Sequence, residues 1–167
     1  EEVHENPTTD DVERCAEHAR DFGPDLLIGL GGGSAIDVAK GTNFLVSCGG
    51  ALRDYRGRET ATAELLPLIA IPTTAGTGSE VQSFALIADA ATHEKMACGD
   101  PRAAARIALL DPELTLTMPR HVTAQTGLDA IGHAVESAVT RAGNEVSSEL
   151  ARRAFGLAAE AFPRVLS

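Results

Sequence analysis

Gly31-Gly32-Gly33, followed by Ser34, is the feature that most narrows the fold, because three residues without side chains stand where an apolar run gives way to a helical one. Asp25 to Leu30 is short and apolar and reads as a strand, after which Ala35, Ile36, Val38, Ala39 and Leu45 recur in a helical pattern. A strand that feeds a helix through such a turn leaves free backbone N–H groups at the positive end of the helix dipole. A pyrophosphate can sit there, and a Cβ would obstruct its approach. The segment does not match G-x-G-x-x-G, and Lys40 is followed by Gly41, so no G-K-[S/T] triplet completes the loop of kinases and NTPases. On its local pattern alone, the turn is equally consistent with an ordinary tight strand-to-helix connection.

The flanking sequence extends the alternation of strands and helices. From Pro7 to Gly23, Thr8 and Thr9 are N-cap candidates, Asp10, Asp11 and Glu13 suit the first turn, and Val12, Ala16, Ala19 and Phe22 follow at near-helical spacing. Cys48 to Leu66 is polar and turn-rich, and reads as an excursion loop. Pro67 to Ile71 is a second buried strand, ending at a second small-residue turn, Pro72-Thr73-Thr74-Ala75-Gly76-Thr77-Gly78-Ser79. Val81 to Ile87 and Glu94 to Cys98 form a hairpin around Asp89 to His93, and Arg106 to Leu110 is one more strand. Thr123 to Val139 and Asn144 to Phe162 are then Ala-rich and helical. The pattern predicts an α/β fold with a mostly parallel sheet covered on both faces over residues 1–112, followed by a helical region over 113–167. Ligands in such sheets sit beyond the carboxyl ends of the strands, where both small-residue turns lie.

Composition removes several classes of partner. The 167 residues carry 24 Asp and Glu against 14 Lys and Arg, a net charge of -10, so the basic surface that nucleic acid requires is missing. With no Trp, one Tyr and five Phe, stacking platforms for exposed bases are scarce as well. The longest apolar runs, such as Leu65 to Ile71, fall far short of the roughly 20 residues of a transmembrane helix, so no membrane partner is expected. The opening residues show no export signal, and Cys15, Cys48 and Cys98 have neither zinc-knuckle nor redox spacing; a reducing cytoplasm is the expected compartment.

Other candidate residues are weak one at a time. The hydroxyls of the Thr73 to Ser79 loop can bond a ribose or phosphate without adding charge, yet such a loop is more often a solvated connection. Asp129 and His133 stand at i and i+4 on one helix face, and oxygen plus imidazole suits a divalent Fe, Zn or Mn ion, although such pairs are usually surface hydrogen bonds. Lys95 could balance a phosphate, and a lone Lys is usually turned to solvent. His4, His18, His93 and His121 have no partner at ligand spacing and read as surface residues.

In combination these segments resemble the iron-containing (group III) alcohol dehydrogenase family. The resemblance rests on Gly31 to Lys40, Asp54-Tyr55-x-Gly57, Pro67 to Val81, Asp111 to Thr115 and Pro119 to Glu136, in the family's order. It implies a partial dinucleotide-binding α/β domain followed by the first helices of an all-helical metal-binding domain. It further implies interconversion of alcohols with aldehydes or ketones using NAD or NADP and Fe2+, with Zn2+ as the other candidate ion. By matching positions, Gly32, Gly33 and Ser34 would meet the pyrophosphate and Thr73 and Thr74 the nucleotide. Asp37 and Thr77 are counted with them, and Phe84, Lys95 and Leu114 would approach the cofactor further along. Asp129 and His133 match the first two metal ligands, and no catalytic residue beyond the metal site is assigned. Gln82 departs from the Thr often found there, while Ser34, where sugar-alcohol and glycerol dehydrogenases commonly carry Lys, points away from those enzymes.

The resemblance covers only the middle of the family's length. Two histidines that complete the metal site, and the acidic residue that would tell NAD from NADP, fall outside this sequence. The chain is therefore expected to be a fragment, inactive and aggregation-prone alone, from a parent that family analogy makes a homo-oligomer. Two other readings compete: a metal-free oxidoreductase similar to maleylacetate reductase, and a non-catalytic dinucleotide-binding remnant.

Overall fold

Helix α2 (Gly33–Ser47) is buried almost all round, and the elements of the first part of the chain are arranged about it in the computed structural model, which describes residues 3–166. Glu1, Glu2 and Ser167, the outer ends of the expected domains, lie outside the described residues. On one side of α2 is a parallel sheet in the order β1 (Leu27–Gly31), β2 (Leu68–Pro72), β5 (Ile107–Ala108). The register pairs Gly29 with Ala70 and Ala70 with Ala108, so a row of small residues runs across it. That row lets α2 approach closely, since a Cβ on Gly29 would lie 3.3 Å from both Ala39 Cβ and Ile36 Cα.

The alternate residues point the other way. Ile28 is paired with Ile69 and Ile69 with Ile107, and Leu30 with Ile71, which makes an apolar grid on the opposite face. Ile28, Leu30 and Ile107 are 58%, 60% and 54% exposed. Cover on both faces was expected from the strand-helix alternation; this face is open in the chain as described.

The hairpin, β3 (Phe84–Ala88) with β4 (Lys95–Gly99), is antiparallel and forms a separate two-stranded sheet. Its inward residues Ala85, Ile87, Met96 and Cys98 join Val38, Phe44 and Leu45 of α2 and Val12 and Ala16 of α1 (Thr9–Phe22) in the main core. Helix α1 opens on Asp11, whose carboxylate accepts from the N–H and hydroxyl of Thr8 at 2.9 and 3.0 Å. It closes where the Gly23 N–H donates to Ala19 O.

The stretch expected to be an excursion loop is irregular and mostly exposed, but it is anchored in the core at three points. A 3-10 turn at Leu52–Tyr55 buries Leu52 and Tyr55, and Leu65 follows them inside. Tyr55 stacks on Phe44 with ring centroids 4.9 Å apart, and its hydroxyl donates to Gly49 O at 2.7 Å. Buried Asn43 pairs with the Leu66 backbone, donating to its carbonyl at 2.8 Å and accepting from its N–H at 3.0 Å. The aliphatic anchors are spread thinly among polar residues, which is why composition disguises them.

Beyond β5, a 3-10 turn at Pro112–Thr115 leads to α3 (Arg120–Val139) and α4 (Glu145–Val165), the latter capped by Asn144, which accepts from Ser147 N at 2.9 Å. The chain divides into two compact units. One runs to Pro72 and resumes over Ser79–Asp111; the other joins the loop Thr73–Gly78 to the residues from Pro112 onward. Among the described residues no helix is long and apolar enough to cross a membrane.

In the chain as given, an exposed apolar grid of this kind favours self-association. Replacing Ile28 and Leu30 together by Thr keeps β-branched residues in the strand and is expected to leave the far-UV circular dichroism unchanged. Self-association measured by light scattering should fall, and equal association of parent and variant would count against the grid as its cause.

Candidate functional site

In the first unit, β1 delivers the chain into α2 through Gly31 and Gly32. Gly31 has φ +141°, a conformation that L side chains rarely adopt, and a Cβ there would come within 2.8 Å of Ala35 Cβ. Gly32 is the N-cap, and its carbonyl accepts from Ala35 N at 3.0 Å and Ile36 N at 3.2 Å. No side chain among the described residues caps this end, and the first turn of α2 carries no acidic residue. Helix α1, by contrast, has Asp10 and Asp11 in its first turn. The start of α2 therefore keeps its positive end unopposed, with Gly33 and Ser34 at the opening.

Asp37, expected to meet the dinucleotide, is turned into the fold. One carboxylate oxygen accepts from the Ser79 hydroxyl and the other from Leu86 N at 3.0 Å. Lys40, one turn on, is 0% exposed. Its Nζ donates to Ser79 O at 2.5 Å, Phe84 O at 3.0 Å and Ser79 Oγ at 3.3 Å, with Asp37 Oδ1 3.8 Å away. Two side chains of α2 thus grip both ends of the Ser79 to Leu86 segment, and Phe84 is tied to α2 through its carbonyl. Burial pushes the Lys40 ammonium down to about 8, against the opposing charges of Asp37 and Glu80, and burial raises Asp37 against its hydrogen bonds. No local pattern signals this arrangement, because the carbonyls that receive Lys40 lie far along the chain. Lys95 is exposed at the start of β4, its Nζ 3.3 Å from Asn6 Oδ1.

In the second unit, Thr73, Thr74 and Thr77 lie on the loop packed with the helices. Thr74 Oγ1 is buried and has no hydrogen-bond partner, which leaves a donor and acceptor open to a ligand. Leu114 is half-exposed on the 3-10 turn. On α3, Asp129 Oδ1 and His133 Nε2 are 3.7 Å apart, and their side chains are 50% and 43% exposed. The pair offers one oxygen and one nitrogen to a common point, and no group of three or more such donors occurs among the described residues. Of the other histidines, His4 bonds Asp11 at 3.1 Å and His18 bonds the Arg14 carbonyl at 2.8 Å.

Comparison with known proteins gives these features a family. Residues 1–112 match the model for iron-containing alcohol dehydrogenase. The chain is 41% identical over 149 residues to alcohol dehydrogenase 4 of Schizosaccharomyces pombe, which covers 89% of this chain and 35% of that protein. It is 36% identical over 166 residues to the NAD-dependent methanol dehydrogenase of Bacillus methanolicus, covering 99% of this chain and 41% of the relative. The solved structure of a 1,3-propanediol oxidoreductase superposes with a TM-score of 0.93 at 33% identity, over 98% of this chain and 43% of that one. The chain thus spans well under half the length of the proteins it matches.

The buried lysine has a consequence for stability. Below pH 8 Lys40 is charged in both states and carries its full desolvation cost; between pH 8 and 10.5 the folded chain releases a proton that the unfolded chain keeps. The unfolded state then binds more protons, so this group makes stability rise with pH across that window. The thermal midpoint followed against pH should show the rise, and Lys40→Met should remove it. An identical profile in the variant would contradict the assignment.

Proposed function

The chain belongs to the iron-containing alcohol dehydrogenase family, and from that premise we propose that it carries the phosphate grip and two metal donors of an NAD(P)-dependent alcohol dehydrogenase. The observation that carries the reading is the start of α2, uncapped and free of acidic residues at the carboxyl end of a parallel strand. Gly32, Gly33 and Ser34 would receive the pyrophosphate there, since their backbone N–H groups and the helix dipole favour an anion and no Cβ obstructs its approach at the two glycines. Thr73, Thr74 and Thr77 would bond the nucleotide, and the open hydroxyl of Thr74 supports that role. Phe84, Lys95 and Leu114 are assigned to the remainder of the cofactor.

The residues also fit a divalent ion. A carboxylate and an imidazole one helical turn apart form half of a tetrahedral set suited to Fe2+ or Zn2+, and this pair favours a metal-dependent enzyme over the metal-free reductases. When bound, such an ion polarises the substrate oxygen while the nicotinamide exchanges hydride with the carbon. The work of this chain is to hold the two groups: the α2 turn neutralises the phosphates, and α3 presents Asp129 and His133. With only those two donors, the chain alone is expected to turn over no alcohol.

NADH fluorescence titration tests the grip directly. The chain is expected to bind, and Gly33→Val to weaken binding about tenfold or more by filling the phosphate approach. In a protein of the relatives' full length that carries this sequence, His133→Ala should cost about a hundredfold or more in metal-dependent turnover and leave NADH affinity within about twofold. Unchanged turnover in that variant would refute the metal assignment.

A further inference from the structure

We propose that Gly76 is a positioning residue that seats the Thr73–Gly78 loop on the turn of α3 preceding the metal donors, so that a dinucleotide held by the loop is felt at Asp129 and His133. This inference rests on the proposed cofactor and metal roles. Gly76 has φ +140°, and a Cβ on it would stand 1.8 Å from Thr126 O, 2.6 Å from Thr126 C and 3.3 Å from Thr126 Cα. Loop backbone therefore lies directly against helix backbone, an approach that only glycine permits. Thr126 takes no part with its side chain, whose hydroxyl is turned back to Val122 O at 2.9 Å.

The contact falls on a meaningful face. Thr126, Asp129 and His133 are spaced i, i+3 and i+7, one stripe along α3. The loop and this stripe belong to the same compact unit, although β2 and β3, the strands on either side of the loop, belong to the other. The same stretch of α3 is held from α4 as well: a Cβ on Gly127 would meet the Phe162 ring at 2.6 Å. Residues 126 and 127 are thus pinned by the loop at one and by α4 at the next. A displacement of the loop has a stiff path to the following turn, where Asp129 stands, and the loop also carries the buried Thr74 hydroxyl, which has no hydrogen-bond partner.

Gly127→Ala supplies the control, because the Cβ it adds meets the Phe162 ring of α4 and no atom of the loop is among its nearest neighbours. The experiment compares the chain with its Gly76→Ala and Gly127→Ala variants by NADH fluorescence titration, and by hydrogen exchange of the amides from Asp129 to His133 with and without NADH, at a temperature where all three are folded by circular dichroism. In the unaltered chain NADH should slow exchange at those amides. Gly76→Ala should raise the NADH dissociation constant about tenfold or more, the effect of misplacing one or two hydrogen bonds, and abolish the NADH-dependent slowing. Gly127→Ala should keep the affinity within about twofold and keep the slowing, even where it lowers the thermal midpoint. Equal losses in both variants, in step with stability, would reduce Gly76 to a packing residue and overturn the proposal. So would binding by the unaltered chain with no change of exchange at Asp129 to His133, which would leave the dinucleotide reading standing. A folded chain that binds no NADH would overturn that reading first, and this inference with it.

Discussion

Burial of α2 on nearly every side is the constraint on which the rest of the first unit depends. A helix in that position can be amphipathic only weakly, since the sheet, the hairpin and α1 each need an apolar or small surface from it. Gly29 lets β1 approach one side, while a Cβ on Gly41 would stand 3.0 Å from a methyl of Val12, so small residues set the distance on two sides at once. Four polar positions remain buried in α2: Thr42, whose Oγ1 has no hydrogen-bond partner among the described residues, and Asp37, Lys40 and Asn43, which must be bonded internally. These three are, and in being so they tie α2 to segments remote in sequence: Ser79 to Leu86 for Asp37 and Lys40, Leu66 for Asn43.

Such an arrangement costs stability before it confers any. Breaking a buried charge pair by removing one partner typically costs about 3–5 kcal/mol, whereas replacing the whole pair with apolar residues is often neutral or better. Lys40 and Asp37 are thus poor devices for stability and good ones for geometry. Three acceptors from Ser79 and Phe84 converge on one ammonium group, which fixes the register of α2 against that segment. The start of α2 is one turn from that anchor, so the glycine turn inherits a fixed orientation from it.

The elements of the fold were largely legible because their punctuation is local. Gly23-Pro24 stops α1, the triple glycine separates β1 from α2, and the acidic first turn of α1 marks its beginning. What escaped the sequence is long-range. Leu52, Tyr55 and Leu65 look like stray apolar residues in a polar stretch until Phe44 is placed against Tyr55. Lys40 carries no local sign of burial, yet three acceptors from the Ser79 to Phe84 segment surround it, and Asp37 is bonded to the Ser79 hydroxyl and Leu86 N. The pairing of Asp129 with His133 was visible, since one helical turn suffices to predict it, and the structure sets them 3.7 Å apart.

The same distinction explains why the loop after β2 is the least predictable part of the site. By sequence it belongs with the strands, as the continuation of β2 and the approach to β3. By packing it belongs with α3, because Gly76 accepts the Thr126 backbone at a distance that excludes any side chain. A loop whose backbone is seated on a helix at Gly76 cannot shift there without moving that helix. The loop backbone is therefore held in place at Gly76, and preorganisation of that kind lowers the ordering cost of any binding a loop performs. Two features meet on α3 as a result: Thr126 receives the loop through its backbone atoms, and the stripe beyond it is carried by the side chains of Asp129 and His133, 3.7 Å apart.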